Sequence, residues 1–173
     1  MSTRVGVVDV VFRPAPVEEA ARRAADLGFA HIDVPAGWSG SLALPVGDRT
    51  AHPSPRAGCS CPAPPEGDGN WERAVRAYRA NPGARMEPWP GSVVNTLEKV
   101  KAMLAEVPGL RLLVDTGHVA CWGEDPVELL EWADHVQLRQ ARKGVAQTLE
   151  GDVDFAAVAA RLNRLGYAGL VSV

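Results

Sequence analysis

The chain has 173 residues, 46% of them hydrophobic and 23% charged, the balance of one globular domain able to bury a sizeable core. Its formal charge of -3, with 18 basic residues scattered and no run of them, leaves no electrostatic footprint for nucleic acid or an anionic membrane. No apolar stretch approaches the roughly 20 residues of a transmembrane helix, and Met1 to Val11 lacks the layout of a signal peptide, so a cytoplasmic protein is expected.

Three cysteines, Cys59, Cys61 and Cys121, are an odd number with no export signal before them, which argues for reduced thiols. Cys59-Ser60-Cys61 with His52 and His118 would make a zinc set, but a one-residue gap is not the usual two-to-four-residue spacing, and unligated loop thiols are the better reading.

Arg4 to Val11 is a continuous apolar run of the kind a strand covered on both faces requires. Pro16 then opens a helix in which Val17, Ala20, Ala21, Ala24 and Leu27 recur at helical spacing, with Gly28 as its stop. Ala30 to Val34 reads as the second strand. From 35 to 69 the pattern dissolves into Pro, Gly, Ser and Asp around Leu42-Ala43-Leu44, a length uncommon for a structureless loop and sufficient for a short third strand. Trp71 to Arg79 predicts a turn or two of helix, ended by Pro82-Gly83 before a strand that finishes at Glu87.

Asn95-Thr96-Leu97-Glu98 has the form of a capping box, with Asn95 as cap, and Leu97, Val100, Leu104 and Val107 stripe the helix behind it. Leu112 to Asp115 is a buried-type strand. Asp125-Pro126-Val127-Glu128 opens a helix to about Ala133 with Asp as cap and Pro at the first position. Val136 to Leu138 is the next strand, Phe155, Val158, Leu162 and Leu165 stripe a helix to Gly166, and Leu170 to Val173 is the last strand. Alternating strands and helices demand parallel strands and right-handed crossovers.

In such folds chemistry sits at the C-terminal ends of the strands. Asp115, with His118 three residues later, closes one apolar run and Glu87 another, while Asp134 to Gln140 supplies a third polar strand end. Carboxylate, carboxylate plus imidazole and a third polar group converging there make an oxygen- and nitrogen-rich site for a divalent metal. A strand-end carboxylate in that role contributes little to packing, so Asp115→Ala is expected to leave the fold intact. Gln137 is a poor metal ligand, read as a hydrogen-bonding amide in the core or toward a substrate. Trp38, Trp89 and Trp122 each follow a strand by a few residues and either wall the mouth of the pocket or plug gaps in the fold. Arg13, just beyond the first strand, suits an anionic substrate group, and Glu150 in the loop before Gly151 is an acid or base in reach; His31 reads as structural.

The series Glu87-Pro88, Asn95-Thr96, Leu113-Val114-Asp115-Thr116-Gly117-His118, His135-Val136-Gln137-Leu138-Arg139, Gly151-Asp152-Val153-Asp154-Phe155 and Gly166-Tyr167-Ala168-Gly169-Leu170-Val171-Ser172-Val173 resembles the xylose-isomerase-like TIM barrels, which include sugar phosphate isomerases and epimerases. The likeness is good from Glu87 to Val173, fair from Arg4 to Val34 and absent between. It implies a divalent cation such as manganese, magnesium, cobalt or zinc, with Glu87 and Asp115 as the first two ligands and His118 binding the substrate or a second metal, or moving a proton. The family's third ligand, a His, falls at Gln137, with Arg139 and Gln140 where Lys and Asp are common; Arg139 would neutralise developing charge. The fourth, a Glu, would follow Val173 directly.

A complete barrel of this kind takes about 250 residues. The expectation is therefore a single domain, 1–173, forming a shortened or incomplete α/β TIM-barrel-like fold of about six to seven parallel strands. An apolar last strand without a covering helix leaves open edges at the first and last strands, which a homodimer would cover. By resemblance the activity is that of an isomerase, epimerase or lyase on a small sugar-like or hydroxy-carbonyl metabolite. The alternative is a metal-free relative, a repurposed enzyme or small-molecule-binding protein that keeps the scaffold without its ligands.

Overall fold

The computed structural model describes residues 5–34, 49–51 and 59–173. Trp38, Leu42-Ala43-Leu44 and His52 lie outside them. The chain runs β1 (Val5–Val8), a 3-10 turn (Asp9–Phe12), α1 (Val17–Asp26), β2 (Ile32–Val34), β3 (Arg49–Ala51), β4 (Cys59–Pro62), α2 (Asn70–Ala80), β5 (Ala84–Glu87), α3 (Leu97–Glu106), β6 (Arg111–Asp115), α4 (Thr116–Trp122), a 3-10 segment (Pro126–Trp132), β7 (Ala133–Gln137), α5 (Phe155–Arg164) and β8 (Leu170–Ser172).

Neighbouring strands stand in the order β3-β2-β1-β8-β7-β6-β5-β4, and every pairing is parallel except β2 with β3. Among the described residues seven strands thus share one direction, curled into an incomplete barrel with helices outside. Among the described residues the strict strand-and-helix alternation fails twice: β3 follows β2, and β4 follows β3, without a described helix between them, and β3 runs antiparallel to β2. The segment expected to hold one short strand holds two, β3 and β4.

The first and last strands pair with each other, Val5 opposite Val171 and Gly6 opposite Ser172. That corrects the expected open edges. Val171 is buried, and the backbone N–H of Val173 donates to the Gly6 carbonyl at 3.0 Å. Among the described residues, the strands that end the sheet are β3 and β4. The apolar run expected to stay extended to Val11 turns into the 3-10 segment at Asp9, which leaves Val10 and Val11 exposed.

Helix starts follow side-chain capping. Thr96, not Asn95, caps α3, its hydroxyl accepting from the Lys99 amide at 3.2 Å; Asn95 instead takes the Lys99 ammonium. Asp125 accepts from the Val127 amide as expected, but the segment it opens is 3-10 rather than α. Asp154 caps α5. The α4 helix, absent from the sequence reading, exists because Asp115 both ends β6 and caps the next turn.

Among the described residues, apolar side chains form two clusters. The larger packs β5, β6 and β7 against α2, α3, α4, α5 and the Pro126–Trp132 segment around Met86, Val100, Met103, Leu112 and Leu129. The smaller holds Val7, Ala20, Ala24 and Ile32 between β1, β2 and α1. His31, Asp33, His135 and Ser172, all buried, come from β7, β8 and the strand end beside the smaller cluster.

Candidate active site

Glu87, Asp115 and Gln137 are the last residues of β5, β6 and β7, and Asp115 stands opposite Gln137 in the ladder. Because those strands are parallel, the three side chains share one end of the sheet. One ligand atom each from Glu87, Asp115 and His118 lies within 4.8 Å of the others. His118 Nε2 is 3.8 Å from Asp115 Oδ2, and its Nδ1 is 3.9 Å from Glu87 Oε1. Nδ1 donates to the Pro88 carbonyl at 3.1 Å, and since a carbonyl can only accept, the lone pair of the neutral ring sits on Nε2, facing Asp115.

Asp115 is held from several sides. Its Oδ1 accepts from the backbone amides of Gly117 at 2.8 Å and His118 at 3.2 Å, which aims the carboxylate and starts α4 in one stroke. Arg139 Nε donates to the same oxygen at 3.2 Å, and Nη2 lies 2.8 Å from Oδ2 as an ion-pair contact. The Thr116 hydroxyl donates to the Arg139 carbonyl and accepts from its amide, both at 2.9 Å, so the end of β7 is tied to the start of α4. Gly117 leaves the space: a Cβ there would stand 2.8 Å from Arg139 Nε.

A second polar cluster lies in the interior. His135 Nε2 is 2.9 Å from Asp33 Oδ2 and 2.9 Å from Ser172 Oγ. His31 Nε2 is 3.0 Å from the same hydroxyl and 3.7 Å from Asp33 Oδ1. Gln137 Nε2 donates to Asp33 Oδ2 at 3.2 Å, so its amide turns toward the interior cluster. Sequence reasoning missed Asp33 and His135 as partners. The signal was there: His31 and Asp33, leading into and along β2, and His135 and Gln137 on β7 are each two apart in extended chain, a spacing that sends both members to one face.

The other expected residues are placed differently. Trp89 is half-buried beside Pro88, its indole donating to the Ala63 carbonyl at 2.6 Å. Trp122 ends α4 and packs, partly buried, against the larger apolar cluster. Arg13 is exposed and lies 3.8 Å from Asp9, and Glu150 is exposed with its carbonyl taken by Arg142; neither joins the cluster of Glu87, Asp115 and His118 among the described contacts. A cavity of about 540 Å³ opens at the other end of the strands, lined by Arg85, Arg111, Asp134 and Tyr167 among others, the face that in such barrels serves stability.

Burial lowers the pKa of His31; Asp33 partly restores it and His135 lowers it further. For His118 burial again lowers it most, Asp115 pulls it up, Arg139 pushes it down and the Pro88 carbonyl raises it. Burial pushes the Asp33 carboxyl up, but hydrogen bonds and charge from His135, with Ser172 and Gln137, outweigh that and hold it below its ordinary value. Both imidazoles therefore bind protons less readily in the folded chain than in the unfolded one, whose value is 6.5. Their contribution to stability is complete above that value and lost as the pH falls below it. Melting temperature is expected to decline steadily between about pH 7 and pH 5.5; a flat profile would mean that both rings take up protons freely in the fold.

The sequence profile of the xylose isomerase-like TIM barrel family matches residues 15–173. The chain belongs to that family. Among solved structures, this xylose isomerase-like chain is similar to the 3-keto-D-glucoside 4-epimerase YcjR of E. coli, at 14% identity and a TM-score of 0.71 over 99% of this chain and 91% of that one. A D-tagatose 3-epimerase-like protein gives 15% identity and a TM-score of 0.69 over 99% and 90%. The AP endonuclease, family 2, of Brucella melitensis gives 17% and 0.65 over 99% and 92%. At these identities the likeness is one of fold. No curated protein sequence matches the chain. Among the described residues no helix is long and apolar enough to cross a membrane.

Proposed function

We propose that this xylose isomerase-like chain is an isomerase or epimerase that moves a proton next to a carbonyl of a small sugar-like or hydroxy-carbonyl substrate. The observation that carries the proposal is the convergence of Glu87, Asp115 and His118 at the C-terminal end of the strands, with ligand atoms within 4.8 Å of one another. Two neighbours of the same fold are named as a sugar epimerase and an epimerase-like protein, which supports the substrate class.

The donor set fits a divalent cation. Glu87 offers a carboxylate oxygen and His118 the Nε2 lone pair, while Asp115 keeps capacity on Oδ2 because its backbone donors all bond Oδ1. When bound, such an ion polarises a carbonyl and its neighbouring hydroxyl. The side chains do the rest. Glu87, half-buried, takes or returns a carbon-bound proton; neutral His118 accepts or relays one through Nε2; Arg139 fixes Asp115 and balances its charge.

One feature of the geometry favours a metal-independent variant: the Arg139 guanidinium already touches both oxygens of Asp115, and the Gln137 amide donates inward to Asp33. Assay with and without added Mn²⁺ after chelation separates the two. The primary test is NMR of ketoses in D₂O. Deuterium is expected to wash in at the carbon beside the carbonyl, and Glu87→Gln is expected to slow this by about 100-fold or more at unchanged melting temperature. Exchange that survives Glu87→Gln would remove Glu87 from the reaction.

A further inference from the structure

We propose that His31, Asp33 and His135 form a second, buried cation site of the zinc type, with the Ser172 hydroxyl as a fourth donor. It lies apart from the rim carboxylates and does not rest on the activity proposed for them.

Three features support it. The first is convergence: both imidazoles present Nε2 to the same point, and one ligand atom from each of the three residues lies within 4.8 Å of the others. The second is spacing. Four of the contacts in the cluster measure 2.9 Å (His135 Nε2 to Asp33 Oδ2), 2.9 Å (His135 Nε2 to Ser172 Oγ), 3.0 Å (His31 Nε2 to Ser172 Oγ) and 3.7 Å (His31 Nε2 to Asp33 Oδ1). Four ligands about 2.0–2.1 Å from a tetrahedral zinc are separated by roughly 3.4 Å, in the middle of that range.

The third is electrostatic. The Ser172 hydroxyl oxygen stands within hydrogen-bond distance of both imidazole Nε2 atoms, so the two rings are held against one point beside a buried carboxylate. Asp33 Oδ1 is buried and makes no hydrogen bond among the described residues. A carboxylate 3% exposed with an oxygen left in this state is costly unless a cation meets it. An ion at the shared point uses both Nε2 lone pairs and a carboxylate oxygen together, and imidazole with one carboxylate suits zinc better than magnesium or calcium.

Its surroundings give the site a structural role. All four residues are at most 3% exposed, so the coordination shell is closed to substrate. The ligands come from β7, β8, β2 and the residue preceding β2, and so the ion joins the small apolar cluster of β1 and β2 to the larger one. His31 reaches Ser172 across Gly6, which has no side chain to block it.

The test is metal content by mass spectrometry of the whole chain, incubated with zinc and desalted, in a variant whose rim is disabled (Glu87→Gln with His118→Gln). About one zinc per chain is expected there, falling to none when His31→Gln or His135→Gln is added. Cobalt in place of zinc is expected to give the visible bands of a four-coordinate ion in the rim variant and to lose them with the same substitutions. Should the histidine variants not fold, Asp33→Asn, which keeps the side-chain shape, is expected to lower zinc affinity at least about tenfold. A folded rim variant that holds no zinc, or zinc that persists through the histidine or Asp33 substitutions, overturns the site.

Discussion

Gly6→Ala is expected to lower the melting temperature by about 10 °C. A Cβ at this position would lie 2.1 Å from His31 Nε2 and 2.3 Å from Cδ2, far inside contact distance, and the obstacle is a ring that is itself 2% exposed. The ring has no room to step aside without leaving Ser172 and Asp33, to which its Nε2 is 3.0 Å and 3.7 Å away. Overpacking of this kind costs about 1–3 kcal/mol, and stranding buried polar groups adds about 1–3 kcal/mol. For a chain of this size each kcal/mol moves the midpoint by about 2–4 °C. The cause is checked by repeating the change in a His31→Ala background, where most of the loss should vanish because the clash has no partner. A Gly6→Ala chain melting within about 2 °C of the parent would mean that the ring is not fixed across β1.

Asp115→Ala is expected to abolish turnover and also to destabilise the chain by about 2–4 kcal/mol, the second part contrary to the expectation from sequence. The carboxylate is not a passive strand end: it accepts the amides of Gly117 and His118 that begin α4 and it pairs with Arg139. Losing the cap costs about 1 kcal/mol, and leaving the Arg139 charge against a half-buried wall costs more, moderated by the part of Arg139 that reaches water. Asp115→Asn separates the two roles. Its amide oxygen can still accept from both backbone donors, so it should melt within about 3 °C of the parent while remaining inactive. Activity retained by Asp115→Asn would take the carboxylate charge out of the reaction, and an unchanged melting point for Asp115→Ala would take away its structural one.

Much of the candidate site was legible before any coordinates because it depends on local rules. Glu87 and Asp115 each follow an apolar run, and a run buried on both faces ends where a charged side chain can meet a pocket. His118 came with Asp115 because the short segment between them can only be a tight turn or the first turn of a helix. The error at Asn95 and Thr96 is one residue, within the tolerance of any capping argument, since two consecutive polar side chains both qualify and only the path of the chain into α3 chooses Thr96.

By itself, then, the sequence determined most of the alternation of strands and helices, the cap at Asp125, and the polar strand ends, all written within a few residues of one another. Which strands become neighbours is a different kind of information. The pairing of β1 with β8, the reversal of β3 and the meeting of His31 with Ser172, 141 residues later, depend on how a twisted sheet curls and on which small residues, Gly6 above all, let a distant ring cross. Short-range patterns carry hydrophobic period and hydrogen-bond capping; long-range encounters are decided by the packing of the whole sheet, and only the tertiary structure shows that the interior of this barrel is built around a cluster of histidines and a carboxylate.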